Sequence, residues 1–146
     1  MASFKGKYTS TIDGKRRLKL PKKLREAVPS SNEHFIIGPG YDGCISLYPK
    51  DEWEKQEEKL RNLKAGIGEH RFFERVFIPE SEDVRIDRVG RLTIPPRLLG
   101  FAQIKKEVLI LGILSRIELW APDVYKRYRE QYKQSFEEVA EKIFKS

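Results

Sequence analysis

The sequence has few of the residues that form covalent, metal or membrane sites. Its 146 residues include one cysteine, Cys44, and two histidines, His34 and His70. A single cysteine forms neither an intrachain disulfide framework nor a cysteine metal cluster, and neither histidine has a partner at ligand spacing. The longest apolar run, residues 108–114, has seven residues, whereas a membrane-spanning helix needs about 20. We therefore expect no metal, no disulfide and no membrane span.

Motifs of common enzymes are also missing. Neither a G-x-x-x-x-G-K-[ST] phosphate loop nor a G-x-S-x-G nucleophile motif occurs. The glycine-rich segment 38–43 (GPGYDG) lacks a lysine and lies between two apolar strands, so it predicts a hairpin. Cys44 lies in such a strand without a nearby histidine, which favours a small core residue over a nucleophile. The first residues, MASFKGKY, lack the apolar stretch of a signal peptide. We expect a cytoplasmic protein that is not an enzyme and takes no cofactor or small-molecule ligand.

Positive charge is abundant but concentrated at one end of the chain. The net charge is +7, and residues 1–25 hold nine Lys or Arg against one acidic residue, a local net charge of +8. The other 121 residues hold 20 basic and 21 acidic residues, a net charge of −1. Such a patch attracts a polyanion. A solvated, solubilising face is the alternative interpretation.

Two segments of the chain repeat each other. Residues 12–25 read IDGKRRLKLPKKLR, and residues 86–99 read IDRVGRLTIPPRLL. At an offset of 74 residues, both keep an Asp, an Arg four residues later and a Pro after an alternating strand. Residues 35–53 and 107–125 align at an offset of 72. The first copy therefore has two extra residues before its next strand, and we place them in 27–34.

Each copy predicts the same order of elements. A strand leads into the Asp, a tight turn follows, and a second strand (18–20 or 92–94) ends at a Pro that starts a short helix. After a strand pair, a longer helix begins near Asp51 or Asp123, because a carboxylate stabilises the free N–H groups at a helix start. Residues 69–78 predict a linker helix.

The C-terminal residues predict one long amphipathic helix. Its apolar residues recur every three or four positions and form a stripe suited to a core or a subunit interface. The stripe consists of Tyr125, Tyr128, Tyr132, Phe136, Val139 and Ile143. Because neither copy has enough helix and strand to bury its own faces, we expect one α+β fold with pseudo-twofold symmetry and a shared β core.

The Asp and Arg of the repeated motif permit two interpretations. In the first, Asp13 pairs with Arg17, and Asp87 with Arg91, so that each pair braces its turn. In the second, the Asp shapes the loop while the Arg points outward at a phosphate or a guanine edge. Three consecutive cations, residues 15–17, need more negative charge than one Asp provides, which favours the second interpretation for the first copy.

The motif IDRVGRLTIP resembles the D-x-x-x-R element of the SpoVT-AbrB superfamily. Two copies, together with GYDGCISLYPKDEWE and IELW, resemble the MraZ family of bacterial transcriptional regulators over roughly residues 4–132. The resemblance implies swapped-hairpin β-barrel halves in one pseudo-twofold unit, with repeats at 4–53 and 78–125, a helix and linker at 54–77 and a C-terminal helix at 126–146.

The resemblance also implies a function and a partner. Members of the family form ring-like homo-oligomers, of which an octamer is the suspected size. They bind double-stranded DNA at direct repeats in the promoter of their own division and cell-wall gene cluster, and usually repress it. A nucleoid-associated repressor is thus the expectation for this chain. The alternative is an oligomeric scaffold whose basic face binds RNA or an acidic protein without sequence preference.

The loops of the motif supply the expected DNA contacts. The predicted DNA-binding residues are Lys5, Lys7, Lys15, Arg16, Arg17, Lys19, Lys23, Arg25, Arg88 and Arg91. The predicted loop-shaping residues are Asp13, Gly14, Asp87 and Gly90, and Lys22 and Arg97 are further candidates for phosphate contacts.

The sequence departs from the family pattern at two loop positions. Arg16 replaces the usual Gly before the motif Arg, and Val89 replaces a polar residue. If that position needs a positive φ, Arg16 costs on the order of 1 kcal/mol unless Gly14 takes the bend instead. The second loop is less polar, so we expect the first copy to contribute more of the contact.

Overall fold

The computed structural model describes residues 2–28 and 34–145, and over these ranges the protein is a mixed α+β fold. The segment 27–34, in which the two extra residues of the first copy are predicted, lies mostly outside the described residues, which leave out 29–33. The strands are β1 (Lys7–Thr11), β2 (Arg17–Lys19), β3 (His34–Pro39), β4 (Ile45–Pro49), β5 (Glu82–Arg85), β6 (Arg91–Thr93), β7 (Glu107–Ile113) and β8 (Arg116–Trp120). The helices are α1 (Lys22–Glu26), α2 (Lys50–Arg61), α3 (Gly68–Phe77), α4 (Pro96–Ala102), α5 (Pro122–Gln131) and α6 (Phe136–Phe144).

The two copies exchange strands in one antiparallel sheet. The six-stranded sheet has the order β1-β7-β8-β4-β3-β5. The first strand of each copy thus pairs with the hairpin of the other copy: β1 with β7, and β5 with β3. The shared β core and the exchange of strands are confirmed. Among the described residues the sheet does not close into a barrel, so the barrel part of the expectation is wrong.

A separate two-stranded ribbon and the centre of the sheet mark a pseudo-twofold axis. Leu18 of β2 pairs with Leu92 of β6, its own equivalent at an offset of 74. In the large sheet, Ser46 pairs with Glu118, its equivalent at an offset of 72. Residues that pair with their own repeat equivalents lie on the axis. The pseudo-twofold axis therefore passes through the ribbon and relates the two motif loops on either side of it.

The strand registers correct the placement of the extra residues in the first copy. Ser10 pairs with Val108, whereas Val84, the equivalent of Ser10, pairs with Phe35. Phe35 in β3 therefore corresponds to Val108 in β7, at an offset of 73 residues. In the next pair of equivalent strands, β4 and β8, the offset is 72 residues. One extra residue thus lies in the turn between β3 and β4. The prediction that both precede β3 is wrong.

The C-terminal segment is two helices instead of one. Helix α5 ends at Gln131, and Ser135 starts α6 with a capping box. The Ser135 Oγ accepts a hydrogen bond from the Glu138 N–H, and a Glu138 carboxylate oxygen accepts one from the Ser135 N–H, both at 3.2 Å. These bonds satisfy free donors at a helix start and favour a new helix over continuation of the old one. The prediction of a single helix is wrong. The apolar stripe keeps its helical spacing across the break, so the spacing alone does not reveal the S-x-x-E capping box that starts the second helix.

The core fills the space between the ribbon and the large sheet. Leu18 and Leu92 from the ribbon are buried with Phe35, Ile37 and Ile110 from the sheet. A smaller cluster forms around buried Cys44 and Trp120, against which Tyr125 and Tyr128 pack. Cys44 is a core residue, as predicted, and its burial raises the pKa of the thiol. Among the described residues, no helix is long and apolar enough to cross a membrane.

Candidate nucleic-acid interface

The two motif loops have the same backbone hydrogen bonds. In the first loop, the Asp13 N–H donates to the Arg17 carbonyl at 3.1 Å, and the Arg16 N–H donates to the Asp13 carbonyl at 3.0 Å. In the second loop, the corresponding bonds measure 2.8 Å from Asp87 to Arg91 and 3.0 Å from Gly90 to Asp87. Each loop is therefore a closed turn between two strands. The repeat seen in the sequence is also a repeat in local structure.

Each Asp carboxylate holds its turn together. Asp13 Oδ1 accepts from the N–H groups of Lys15 and Arg17, both at 2.9 Å, and Oδ2 accepts from Arg17 Nε at 2.7 Å. Asp87 makes the equivalent bonds to Val89 at 3.0 Å and to Arg91 at 2.9 Å. The bracing interpretation of the Asp–Arg pair is thus realised in both loops.

The same bonds lower the pKa of both carboxyls. The pKa of Asp13 lies below its ordinary value chiefly because the backbone N–H of Arg17 bonds to the ionised form. Hydrogen bonds from the Arg17 side chain and the Lys15 N–H act in the same direction. The pKa of Asp87 is lowered by the matching groups of Arg91 and Val89. Both loops therefore keep their charged, braced form at neutral pH.

The position before the motif Arg has a left-handed backbone in both copies. Arg16 has φ 62° and Gly90 has φ 85°. The positive φ that the sequence left as a condition for Arg16 is present. Gly14 is not among the residues with positive φ, so the alternative that it takes the bend is wrong. Arg16 therefore carries strain that Gly90 does not.

Each loop is also hydrogen-bonded to the residue that follows the ribbon strand of the other copy. The Gly90 carbonyl accepts from the Leu20 N–H at 2.9 Å, and the Arg16 carbonyl accepts from the Ile94 N–H at 2.8 Å. These two bonds are exchanged by the pseudo-twofold axis. The loops consequently form one unit instead of two independent turns.

The ribbon between the loops presents a cationic outer face. Leu18 and Leu92 point into the core, so the alternating residues Arg17, Lys19, Arg91 and Thr93 lie on the other face. Lys19 pairs directly opposite Arg91, so two cations stand side by side, of which Arg91 is also bonded to Asp87 at 2.9 Å. The two loops lead into opposite ends of this ribbon, at Arg17 and Arg91, which lie only about 7 Å apart along the strands.

The exposed loop tips add further cations to this face. Lys15 and Arg16 are exposed in the first loop, and Arg88 in the second. In the described part of the chain, none of the three takes part in an ion pair. Val89, which is 51% exposed, occupies the position equivalent to Lys15. The first loop therefore offers more free charge than the second, and its larger share of the DNA contact stays a prediction.

Two predicted contacts lie far from the loops. Lys7 is the first residue of β1, which runs toward Asp13, and Lys5 precedes the strand by two residues. Six residues of extended chain separate Lys7 from Asp13, about 20 Å. The Lys7 ammonium instead lies 5.7 Å from the ring centre of Tyr125, a cation–π distance. The structure does not bring Lys5 or Lys7 to the loop surface.

Helix α1 places one of its basic residues across the second loop. Arg25 Nε donates to the Leu20 carbonyl at 3.1 Å. A Cβ atom on Gly90 would lie 2.5 Å from Arg25 Cζ, so the guanidinium covers this glycine. Lys22 and Lys23 on the same helix are exposed, and Lys22 has a loose ion pair with Glu26 at 3.7 Å. Arg25 is thus a contact between the copies.

In the second copy, the helix equivalent to α1 is α4, and acidic residues neutralise its basic side chain. Arg97 pairs with the carboxylates of Glu80 and Glu82, both at 2.8 Å, and with the Glu80 carbonyl at 3.1 Å. The hydrogen bond to Glu82 is the main reason that the pKa of Arg97 is raised. Arg97 is therefore committed within the protein, in contrast to its predicted role as a phosphate contact.

Sequence reasoning missed Arg85 on β5. Arg85 is exposed and lines a depression of about 450 Å³ with Arg16, Thr93 and Arg97. Its position two residues before the motif Asp was the available signal. The structure also places no group of three or more His, Cys, Asp or Glu side chains at metal-binding distance within 2–28 and 34–145.

These features define a class: a duplicated α+β protein with exchanged strands that presents two braced D-x-x-x-R loops on one cationic ribbon. Comparison with known proteins identifies the family. The family model described as "MraZ protein, putative antitoxin-like" matches twice, at residues 3–76 and 77–146. The chain belongs to the MraZ family.

Curated relatives match along nearly their whole length. The chain is 39% identical over 140 residues to the transcriptional regulator MraZ of Heliobacterium modesticaldum, covering 96% of both chains. It is 39% identical to the protein of the same name from Pelotomaculum thermopropionicum, covering 96% of this chain and 94% of the relative. The protein of that name from Natranaerobius thermophilus is 34% identical, with 96% of both chains covered.

Proposed function

We propose that this protein is a DNA-binding transcriptional regulator that contacts double-stranded DNA with both motif loops and the ribbon between them. Its relatives bear the name of a transcriptional regulator. The observation that carries the proposal is the pair Lys19–Arg91 on the outer face of the ribbon, with exposed cations at both ends. Like charges held side by side are stabilised when a polyanion binds.

The ribbon has suitable dimensions for a DNA groove. A major groove about 12 Å wide admits a two-stranded β-ribbon. The pseudo-twofold axis passes through the ribbon at Leu18 and Leu92, so both loops reach the same groove or its two edges. In this arrangement Lys19, Lys22 and Lys23 bind phosphates, while Lys15, Arg16 and Arg88 reach base edges or nearby phosphates.

The motif arginines retain a defined capacity for base contact. Arg17 and Arg91 use Nε to hold their Asp partners. The two terminal nitrogens of each guanidinium remain for an end-on bidentate contact with guanine O6 and N7, worth about 1–3 kcal/mol of discrimination. The Asp then fixes the direction of the guanidinium instead of competing with DNA for all of its donors.

We further infer that the protein acts as a ring-like homo-oligomer on direct repeats upstream of its own gene cluster, and that it represses this division and cell-wall cluster. A ring presents several identical loops to several identical DNA boxes. Each contact raises the local concentration for the next one, so weak single contacts combine into tight binding. The spacing between boxes then controls affinity.

Titration by fluorescence anisotropy tests the proposed function. The probes are DNA from upstream of the protein's own gene and scrambled DNA of equal length, at about 50 and about 200 mM salt. We expect tight binding to the upstream DNA only, and a loss of affinity when the spacing between its repeats changes. Equal binding to both DNAs that salt abolishes would contradict the proposal and favour a scaffold with a non-specific basic face.

A further inference from the structure

The depression beside β5 adjoins the end of the ribbon at which Thr93 lies. It has a volume of about 450 Å³. The charged residues of its lining are Arg16, Arg85, Arg97 and Glu82. Their net charge is +2. Because Glu82 pairs with Arg97 at 2.8 Å, this positive charge resides on Arg16 and Arg85.

The two acidic residues of β5 leave Arg85 uncompensated, because each has another partner. Asp83 lies two residues before Arg85, on the same face of the strand, but its Oδ1 is 2.6 Å from His34 Nε2. Glu82 accepts a hydrogen bond from Arg97 Nη2 at 2.8 Å. Among the residues that the structure describes, the Arg85 side chain takes part in no ion pair or hydrogen bond. It therefore presents an exposed, unpaired guanidinium beside the ribbon.

Arg16 reaches the same depression from a backbone that disfavours its residue type. Its φ of 62° is left-handed, and its carbonyl accepts a hydrogen bond from the Ile94 N–H at 2.8 Å, which fixes the loop over β6. Strained residues that persist in a structure cluster at functional sites. The strained position places an exposed cation at the depression, whereas its counterpart, Gly90, contributes none.

The other end of the ribbon obtains its positive charge from different positions. The pseudo-twofold axis relates Lys19 to Thr93, and Lys23 to Arg97. Both lysines are exposed, whereas threonine is neutral and Arg97 is neutralised by acidic residues. The phosphate contacts proposed for the lysines thus have no counterpart at the equivalent positions of the second copy.

Arg16 and Arg85 restore the missing charge at the Thr93 end. Their own counterparts in the other half are the uncharged residues Gly90 and Thr11. A groove of duplex DNA is bordered by one phosphate backbone on each side, and contacts to these backbones fix how a protein is placed. A ribbon that lies in a groove therefore needs cations at both of its ends.

We propose that Arg16 and Arg85 bind a backbone phosphate of double-stranded DNA in this depression, at the end of the ribbon opposite Lys19. The inference deepens the proposed function and rests on it for the identity of the polyanion. Each guanidinium offers several N–H donors to phosphate oxygens, and the hydroxyl of Thr93 on the outer face of the ribbon is a further donor. Such a contact positions the DNA without reading its sequence.

Replacement of Arg85 by glutamine tests the contact from the side of the protein. Arg85→Gln removes one charge from an exposed side chain and should leave the thermal midpoint unchanged. We expect it to weaken binding to upstream and scrambled DNA by the same factor, and to reduce the slope of log K against log salt by about 0.9. Arg129→Gln is the matched control, because it removes the same charge from an exposed arginine on α5, outside the loops and the ribbon. It should leave affinity and slope unchanged.

Neutral methylphosphonate groups test the contact from the side of the DNA. Each phosphate of the upstream DNA is replaced in turn. One replacement should weaken binding of the wild type but have no further effect on Arg85→Gln or Arg16→Gln, because the paired charge is already absent. Lys19→Thr should remain sensitive to the same replacement, since Lys19 lies at the other end of the ribbon.

Two results would overturn the proposal. One is an Arg85→Gln variant with the affinity and salt slope of the wild type, or with the same response to every neutral phosphate. The other is binding of inorganic phosphate by the DNA-free protein that Arg85→Gln abolishes while DNA affinity stays unchanged, which would identify a site for a small anion instead.

The same titrations separate this proposal from the proposed function. Equal affinity of the wild type for upstream and scrambled DNA, with the smaller salt slope of Arg85→Gln on both, would refute the sequence-specific regulator and leave the phosphate contact standing. Binding specific to the upstream DNA that is insensitive to Arg85→Gln would do the reverse.

Discussion

The fourth position of the motif loop gives the two copies different properties. Both copies need a positive φ there, which Gly90 adopts without strain and Arg16 does not. Arg16 adds an exposed cation, whereas Gly90 leaves room for the Arg25 guanidinium. The first loop is therefore less stable but carries an additional positive charge at Arg16. The second loop is covered by the Arg25 side chain of the first copy. We expect substitutions at the two positions to have opposite effects.

Arg16→Gly should raise the free energy of unfolding by about 1 kcal/mol, because glycine relieves the left-handed backbone. The same change should weaken DNA binding, since it removes an exposed cation. Thermal denaturation and anisotropy on the same sample measure both effects. The matched change, Gly90→Ala, should lower stability, because φ is 85° and the new Cβ meets Arg25. A destabilised Arg16→Gly variant would contradict the strain argument.

The stability contributed by the two loop carboxylates should depend on pH. The pKa of Asp13 is lowered in the folded protein from an ordinary value of 3.8. The contribution of the ionised carboxylate is therefore fully present above that value and is lost as pH falls through the lowered pKa. Asp13→Asn should be less stable than the wild type near neutral pH, and the difference should shrink in acid. Thermal denaturation across this pH range checks it, and a difference that is independent of pH would refute it.

The ribbon of β2 and β6 is the element on which the proposed contact depends. Each strand has three residues, so the ribbon relies on its buried leucines and on its ties to the loops more than on its own length. One face is core and the other is cationic. A substitution on the outer face should therefore change binding with little effect on folding.

Lys19→Thr should weaken binding to all DNA sequences alike. Thr93 occupies the equivalent position in β6, so the strand accommodates threonine there. Loss of one phosphate contact should reduce the slope of log K against log salt by about 0.9. Anisotropy titrations at several salt concentrations measure this slope. Lys5→Thr, two residues before β1 and far from the loops, serves as the control and should leave this slope unchanged. A loss confined to the upstream DNA would count against a phosphate role for Lys19.

At the scale of the whole molecule, strand exchange makes the halves depend on each other. Strand β1 completes the hairpin of the second copy and β5 that of the first. The ribbon also takes one strand from each copy. A single half therefore leaves unpaired strand edges and an exposed core face, which favours association or unfolding.

Chains of residues 1–80 and 81–146, expressed apart, should not be folded monomers. We expect each to be unfolded or self-associated by circular dichroism and light scattering, and an equimolar mixture to regain the spectrum of the intact chain. The division lies at the end of the short helical turn Ile78–Glu80, outside the strands. The intact chain is the reference. A half that folds as a stable monomer would show that the exchange of strands is dispensable.

Local features of this protein could be read from the chain alone. The D-x-x-x-R spacing, the prolines after short alternating strands and the linker helix follow from rules that act within a few residues, and the structure reproduces them. The duplication itself predicted a shared core, because one copy has too few helices and strands to bury its own apolar faces. The sequence left open whether Arg16 or Gly14 takes the bend, and the structure shows the positive φ at Arg16.

Long-range pairing decided the remaining features. The neutralisation of Arg97 by Glu80 and Glu82, and the placement of Arg25 across Gly90, depend on how separate segments meet. Lys7 lies far from the loops because the direction of β1 is set by its pairing with β7. Charge counts along a sequence weigh every lysine and arginine equally. Only the folded arrangement decides which of them retain an uncompensated charge, because an ion pair requires proximity in space and not in sequence.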